Sequence, residues 1–160
     1  MIKAVGMGLN ICSASVAIMK ETDLDVALIA GRYTLLDQEA QEELFPLALQ
    51  KNVSIIIGGV YNSGVLANPN PGAMYDYLPA SSEIIDRARK IGAFLQERNV
   101  SLTAAALQFP LRHPAVTTVL TGSRSNAELL SNIEDFESDL HPAIGREIGE
   151  SGLCLEIKLR

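Results

Sequence analysis

Four short apolar runs recur along the chain, and each of them ends in glycine. They are KAVGMG, DVALIAG, VSIIIGG and VTTVLTG. Near-continuous runs of valine, isoleucine and leucine are typical of strands buried on both faces, as in a parallel sheet. The pattern therefore predicts four parallel strands whose glycine ends share one edge of the sheet.

Amphipathic segments separate and follow these runs. They are SASVAIMKET, QEAQEELFPLALQKN, SSEIIDRARKIGAFLQERN, SLTAAALQFPLRH and SNAELLSNIEDF. Ser81 or Ser82 with Glu83 marks a helix start, whereas Pro46 predicts a kink or an early break in the second segment. Because strand and helix alternate, we expect an α/β fold of about four right-handed βα units. The length suits a single domain, residues 1–160.

The glycines at the strand ends predict a ligand site. In both βα barrels and open α/β sheets, ligands bind beyond the carboxyl ends of the strands. A residue without a Cβ lets the backbone approach a flat or phosphorylated ligand closely. Alternatively, these glycines only permit tight turns between strand and helix. The residues concerned are Gly8, Gly31, Gly58, Gly59 and Gly122.

Two connections stand out for their possible roles in binding. The stretch VLTGSRSNAELLSN, residues 119–132, joins a strand through a glycine turn to a helix start, where free N–H groups and the helix dipole favour an anion. Residues 61–81 form a long connection that contains Tyr61, Tyr75 and Tyr77. Connections of this length are usually lids, binding loops or disordered, so either a lid that packs on something or a loose surface loop is expected.

Composition and charge exclude several classes of function. The formal net charge is -6, from 13 basic and 19 acidic residues, and no basic cluster is present to bind nucleic acid. No apolar run approaches the length of a membrane helix, which is about 20 residues. Cys12 and Cys154 fit neither a zinc pattern nor a redox motif. Free buried thiols in a reducing compartment are expected instead, which points to the cytoplasm.

Catalytic groups are not evident in the sequence. His113 and His141 each precede a proline at the end or the start of a predicted helix, where capping is the expected role. None of the motifs HExxH, GxSxG and GxxxxGK[ST] is present. No lysine lies at a strand end where burial would activate it as a nucleophile.

Several motifs in a fixed order resemble the aldo-keto reductases, in the branch of aldose, fucose, galactose and pyridoxal dehydrogenases. The motifs are RYTLLDQ, YNSGVLA, YDYLPAS and AALQFPLRHPAVTTVLTGSRS, and the resemblance runs from about Ile2 to about Gly152. It implies a (β/α)8 TIM-type barrel that binds NAD(P)H without a metal and transfers hydride to or from a carbonyl carbon. The chain resembles only strands 5–8 of that barrel, which is its C-terminal half.

The resemblance also implies which residues hold the cofactor. Ser123, Arg124 and Ser125 match the turn that holds the adenosine-ribose phosphate, and Asn132 matches an asparagine that binds adenine. Asn10 matches a residue that serves the nicotinamide carboxamide, and the loop from Gly59 to Leu66 matches one whose amides wrap the pyrophosphate. The candidate cofactor-binding residues are therefore Asn10, Gly59, Ser63, Gly64, Leu66, Gly122, Ser123, Arg124, Ser125 and Asn132.

The resemblance leaves the choice between NAD and NADP open but favours NAD. Glu128 stands where NADP-specific relatives carry a phosphate-binding arginine, and a carboxylate there repels a 2′-phosphate, although Arg124 can still hold one. Ala30 and Gly58 replace a glutamine and an aromatic residue that contact nicotinamide in many members. These two departures bear on affinity.

The catalytic Asp, Tyr, Lys and His of the family lie on its first four strands and have no counterpart in this chain. Three interpretations remain: a cofactor-binding half of a reductase, a half-barrel that binds a nucleotide without catalysis, and an interaction module. We expect the isolated chain to be inactive on small carbonyl or sugar substrates. Open barrel edges and a bare inner face predict a homo-oligomer. The bare residues would include Val5, Leu28, Ile56 and Leu120.

Overall fold

The computed structural model describes residues 1–154, so the last part of the predicted domain, 155–160, lies outside the described residues. The strands are Gly6–Leu9 (β1), Val26–Ala30 (β2), Ser54–Gly58 (β3), Met74–Tyr75 (β4), Leu78–Pro79 (β5) and Val116–Leu120 (β6). The α-helices are Cys12–Glu21 (α1), Leu44–Lys51 (α2), Ser82–Gln96 (α3), Leu102–Gln108 (α4), Asn126–Glu137 (α5) and Ala143–Glu150 (α6). Short 3-10 helices cover Glu39–Gln41, Asn62–Gly64 and Phe109–Arg112.

The four predicted strands form one sheet. Their order is β1-β2-β3-β6, and every neighbouring pair is parallel. In register, Gly8 lies beside Leu28, and Leu28 lies beside Ile56. The prediction of four parallel βα units is therefore confirmed, and all four carboxyl ends lie at one edge.

The two faces of the sheet differ in burial. Ala27, Ile29, Ile55 and Ile57 are fully buried in the core that the helices share. The alternate residues point to the other face, where no helix among the described residues covers them. Leu120 is 53% exposed there, whereas Leu28 and Ile56 in the middle strands are half-buried. The expected open face exists, but the prediction that Val5 belongs to it is wrong. Val5 precedes β1 and lies on the same side of the strand as Met7, which packs against the core, so it is exposed only because it lies at the start of the strand.

Helix boundaries largely follow the local signals in the sequence. The Ser81 hydroxyl accepts a hydrogen bond from the Ile84 N–H at 3.3 Å and so caps the start of α3. The helix around Pro46 is shorter than predicted, since α2 begins only at Leu44. Pro46 therefore lies in the first turn of the helix. There the missing N–H of proline costs no helical hydrogen bond. The residues before it form the 3-10 turn Glu39–Gln41 instead of continuing the helix.

Both histidines have structural surroundings. His113 is buried against the rings of Tyr33 and Phe45, and its Nδ1 accepts a hydrogen bond from the Ala115 N–H at 3.2 Å. His141 similarly accepts from the backbone amide at the start of α6. The contact of His141 supports the capping role predicted from sequence, whereas the His113 side chain bonds to the turn before β6 and packs in the core.

The long connection after β3 is more ordered than a loose loop. It contains the 3-10 turn Asn62–Gly64 and the antiparallel hairpin of β4 and β5. The Tyr75 hydroxyl lies 3.5 Å from an Asp37 carboxylate oxygen, and this contact joins the hairpin to the segment after β2. The connection therefore packs on the rest of the protein, as expected, and its action as a lid stays a prediction.

One glycine at the carboxyl edge is required by the backbone. Gly59 has a φ of +64°, and a Cβ there would lie 3.1 Å from the Gly31 nitrogen. That nitrogen donates a hydrogen bond to the Gly58 carbonyl at 2.9 Å, so it is held in place. The turns after β2 and β3 therefore approach each other through backbone alone.

We predict that Gly59→Ala lowers the free energy of unfolding by roughly 1–2 kcal/mol, because a left-handed conformation is costly for alanine. The close contact with Gly31 adds to this cost. Gly122→Ala is the matched control, since Gly122 lies at the same edge with nothing near its Cβ position and no left-handed φ. Urea unfolding measures both variants. Equal stabilities would contradict the requirement for glycine at position 59.

Candidate nucleotide-binding site

A cleft of about 680 Å3 opens at the carboxyl edge of the sheet, between the loop after β3 and the turn after β6. Its volume suits a small molecule or cofactor. The sequence pattern and the family resemblance selected residues that are distant in the chain, and the fold brings most of them to this cleft. Those that line it are Gly59, Ser63, Gly64, Gly122, Ser123, Arg124 and Asn132.

Three of the predicted residues do not line the cleft. Ser125 lies just behind it as the N-cap of α5. Leu66 is fully buried and belongs to the core. Asn10 follows β1, at the opposite end of the sheet from β6. Three interstrand spacings separate these two strands, about 14 Å, so a ligand that touches both Asn10 and the cleft must extend along the edge.

The turn after β6 presents a cation at the start of a helix. The Ser125 hydroxyl accepts a hydrogen bond from the Glu128 N–H at 3.1 Å and caps α5. The side chain of Arg124, beside this cap, is 93% exposed. The positive end of the helix dipole and the guanidinium therefore lie together, and both favour an anion.

A carboxylate from the same chain already contacts this position. One Glu128 oxygen accepts from the backbone N–H of Arg124 at 2.7 Å, and the other lies 3.2 Å from the Arg124 guanidinium. The backbone and side-chain hydrogen bonds from Arg124 lower the pKa of Glu128 below its usual value. Glu128 therefore stabilises the start of α5 and also takes up donors that a bound phosphate would use.

Asn132 joins the two walls of the cleft. Its amide nitrogen donates to the Ser123 hydroxyl at 3.1 Å, and its amide oxygen accepts from the Tyr61 hydroxyl at 2.9 Å. Burial and the nearby Asp135 carboxylate raise the pKa of Tyr61 to about 12. Tyr61 is therefore protonated at neutral pH and able to donate this hydrogen bond.

The loop after β3 holds its shape through its own hydrogen bonds. The backbone N–H groups of Gly64 and Leu66 both donate to the Tyr61 carbonyl, at 2.9 and 3.2 Å. Asn62 is buried, and its amide nitrogen donates to the Gly31 carbonyl at 3.3 Å. Two of the amides expected to wrap a pyrophosphate are thus already bonded within the loop.

At the other end of the edge, Arg32 connects three segments. Its Nε donates to the Asn10 carbonyl at 2.9 Å, and its Nη1 lies 3.2 Å from Asp37 and 2.8 Å from Asp76. Hydrogen bonds and ion pairs with Asp76 and Asp37 raise the pKa of Arg32 despite the opposing effect of its burial. The turn after β1, the segment after β2 and the β4–β5 hairpin are fixed relative to one another at this residue.

The cysteines are not suited to nucleophilic chemistry. Both are buried and free. Burial, reinforced by Glu39 and Asp37, raises the pKa of Cys12 to about 12, and burial raises that of Cys154 to about 11. Both thiols are therefore protonated at neutral pH, whereas the thiolate is the reactive form.

Residues 1–154 contain no group of three or more histidine, cysteine, aspartate and glutamate side chains arranged to hold a metal ion. None of the helices in this part of the chain is both long and apolar enough to span a bilayer.

Comparison with known proteins places the chain in a family. The sequence model of the Aldo/keto reductase family matches residues 1–148, so the chain belongs to this family. It is 40% identical over 153 residues to pyridoxal 4-dehydrogenase of Microbacterium luteolum, covering 95% of this chain and 45% of that protein. It is 35% identical over 154 residues to D-threo-aldose 1-dehydrogenase of a Pseudomonas species, covering 95% of this chain and 47% of that protein. The resemblance identified from the motifs is confirmed.

Solved structures agree on the fold. An aldo-keto reductase from Bacillus halodurans in its apo form superposes with a TM-score of 0.71 at 23% identity, over 96% of this chain and 51% of that one. Its holo form superposes with a TM-score of 0.68 at 22% identity, over 97% of this chain and 51% of that one. The chain spans less than half the length of the two named dehydrogenases. Its four-stranded α/β fold thus corresponds to half of an aldo-keto reductase barrel.

Sequence reasoning missed part of the cleft wall. Ser131 and Asp135 line it beside Asn132. With Glu128 they follow the three- and four-residue spacing of one helix face, which was a usable signal in the sequence. The pairing of Arg32 with Asp76 outside the cleft had no such signal, because the two residues are far apart in the chain.

We predict that the effect of Glu128→Gln on stability depends on pH. A carboxyl group with a lowered folded-state pKa stabilises the fold above its unfolded-state value and loses that contribution as the pH falls through the folded-state value. The usual value is 4.5. Urea unfolding should therefore show a larger loss of stability for Glu128→Gln at about pH 7 than at about pH 3.

Glu134→Gln is the control for this experiment, because Glu134 is exposed on the same helix. It should change stability little at either pH. An equal loss for Glu128→Gln at both pH values would contradict the role assigned to its contact with Arg124.

Proposed function

We propose that this chain supplies the cofactor-binding half of an aldo-keto reductase that transfers hydride between NAD and a small carbonyl or sugar substrate. The observation that carries this proposal is the cleft at the carboxyl edge, where residues from the β3 loop and the β6 turn meet. It combines an exposed guanidinium, a helix start and a volume suited to a cofactor. Family membership and the two named dehydrogenases support the same conclusion.

The residues present fit a dinucleotide. Arg124 and the turn from Gly122 to Ser125 contact the adenosine ribose, whose hydroxyl groups accept hydrogen bonds, and Asn132 offers an amide to a purine edge. Asn10, at the far end of the edge, serves the nicotinamide end of an extended ligand. When bound, the dinucleotide supplies or accepts the hydride, and the chain binds and orients it.

We further propose that the chain alone does not transfer hydride. The catalytic Asp, Tyr, Lys and His of the family match no residues here, and both histidines accept hydrogen bonds from nearby backbone amides. The small carbonyl or sugar substrate would bind only where the remaining barrel strands complete the pocket. We assign the protein to the cytoplasm because Cys12 and Cys154 are buried free thiols, as expected in a reducing compartment.

Glu128 is the reason for preferring NAD to NADP. Its carboxylate lies on the Arg124 guanidinium and backbone N–H, so the cation is already partly neutralised. A 2′-phosphate that approached Arg124 would meet this carboxylate and be repelled. NAD, which lacks that phosphate, avoids the repulsion.

We predict that calorimetry detects NAD binding to the chain and that Arg124→Ala weakens it about tenfold or more, since a charge-assisted hydrogen bond contributes roughly 1.5–3 kcal/mol. Arg146→Ala is the matched control, because Arg146 is exposed and pairs with Glu150 at the same i,i+4 spacing on α6. It should leave the affinity unchanged.

Two further results bear on this prediction. Asn132→Ala should also weaken binding, and a turnover assay with NAD(P)H and an aldehyde should give no rate above background. No NAD binding at millimolar concentration would overturn the proposed function. Turnover that disappears on changing this chain would contradict the claim that it lacks the catalytic groups.

We also propose that two or more copies associate through the open side. In the described residues, β1 and β6 each have one neighbouring strand, so each leaves an unpaired edge. Helix α5, which follows β6, buries none of its residues. It instead exposes Leu129, Leu130, Ile133 and Phe136. An apolar helix stripe next to a bare sheet edge is typical of an interaction surface. A second copy offers both a matching edge and a matching stripe.

We predict that light scattering finds a dimer or larger species and that Leu130→Glu shifts it toward monomer, because a charge in an apolar interface must be desolvated. Leu130 is 59% exposed. Leu49→Glu is the control, because it introduces the same charge at another site. Leu49 is 42% exposed on α2, away from the open face. A stable monomer of the unaltered chain would contradict the proposed association.

A further inference from the structure

The tip of the β4–β5 hairpin has an unfavourable backbone. Asp76 and Tyr77 are its two central residues, with φ values of +49° and +64°. Two-residue hairpin turns of this kind favour asparagine, aspartate and glycine, which tolerate positive φ. Aspartate is one of these residues, but a tyrosine in the left-handed region is strained. The sequence therefore places a bulky ring where glycine would be more stable.

Contacts on both sides hold the tip in this conformation. The backbone N–H of Tyr77 donates to the Ser63 hydroxyl at 3.0 Å. On the other side, the Asp76 carboxylate lies 2.8 Å from the Arg32 guanidinium, whose side chain is only 17% exposed. Arg32 itself is fixed by the Asn10 carbonyl. The surrounding structure thus determines where Tyr77 lies.

The ring of Tyr77 has little part in the packing of the protein. Tyr77 is 82% exposed, and it is not among the residues that form the core or pack against it. Tyr77 nevertheless lines the cleft, together with Ser63, Gly64 and Arg124. Folding alone does not account for a strained, exposed aromatic residue at the wall of a binding cleft, and such strain is commonly found at ligand clamps.

We propose that Tyr77 is a ligand-contacting residue whose ring covers the dinucleotide bound in the cleft, and that the ion pair between Arg32 and Asp76 positions it. This inference rests on the proposed function. Covering the ligand removes apolar surface of the ring from water and shields the hydrogen bonds that Arg124 makes to the adenosine ribose. Arg32 and Asp76 act through the position of Tyr77 and are positioning residues.

The first test compares NAD binding by the unaltered chain and three variants at position 77, using calorimetry. Tyr77→Ala should weaken binding roughly tenfold, as expected from losing about a quarter of the area of a buried ring. Tyr77→Phe should retain the affinity, because the ring remains. Tyr77→Gly should weaken binding as Tyr77→Ala does, yet raise the midpoint of thermal unfolding, because glycine relieves the strain.

Leu78→Ala is the matched control. Leu78 is the next residue of the same hairpin, is exposed to a similar degree and does not line the cleft. It should leave NAD binding unchanged. Weakening by Leu78→Ala equal to that by Tyr77→Ala would mean that the whole hairpin, and not the ring, affects the cleft, and would overturn the proposal.

The second test addresses the positioning role and needs no ligand. Asp76→Asn removes the charge that pairs with Arg32, so the Tyr77 amide should exchange its hydrogen faster than in the unaltered chain. Asp76→Asn should also weaken NAD binding, but the double variant with Tyr77→Ala should bind no worse than Tyr77→Ala alone. Additive losses in the double variant would contradict an action of Asp76 through Tyr77.

The outcomes separate the two proposals. If the unaltered chain binds NAD and the Tyr77→Ala variant binds it equally well, the proposal that Tyr77 contacts the ligand is wrong and the proposed function stands. If the unaltered chain binds no NAD, the proposed function fails, and with it the ligand that Tyr77 is proposed to cover.

Discussion

The close approach of two backbone turns at the carboxyl edge underlies the whole site. Gly59 lies against Gly31, and the Gly31 N–H bonds to the carbonyl that ends β3. Side chains at these points would push the turns after β2 and β3 apart. Their closeness lets Asn62 bond back to Gly31 and brings the β3 loop over the sheet. The cleft and the hairpin that borders it both depend on that loop.

At the start of α5, the contact between Glu128 and Arg124 stabilises the helix and occupies groups that could otherwise bind an anion. Glu128 bonds to the backbone and the guanidinium of Arg124, which stabilises a helix that buries none of its own residues. The same contact holds a negative charge where a ligand phosphate would bind. A carboxylate at a helix start opposes the binding of a further anion there, and the opposition grows with the charge of that anion.

One side of the sheet is open because helices cover only its other face and four strands do not close into a barrel. The helices bury one face, and alternation along each strand sends the remaining apolar side chains to the other face. A closed barrel would enclose that face and leave no unpaired edge. In the described residues it is exposed at Leu120, and α5, which follows β6, exposes a separate apolar stripe. Exposed apolar surface of this kind is typical of interaction surfaces.

The sequence by itself determined the features that arise from local interactions. Strand burial follows from apolar runs, the start of α3 from the Ser81 cap, and the capped helix start after β6 from residues a few positions apart. Only the tertiary structure decided that Arg32 pairs with Asp76 and that Tyr77 lines the cleft. These contacts join segments many residues apart, and no periodicity or cap signals them. They depend on which turns the parallel sheet brings to its carboxyl edge.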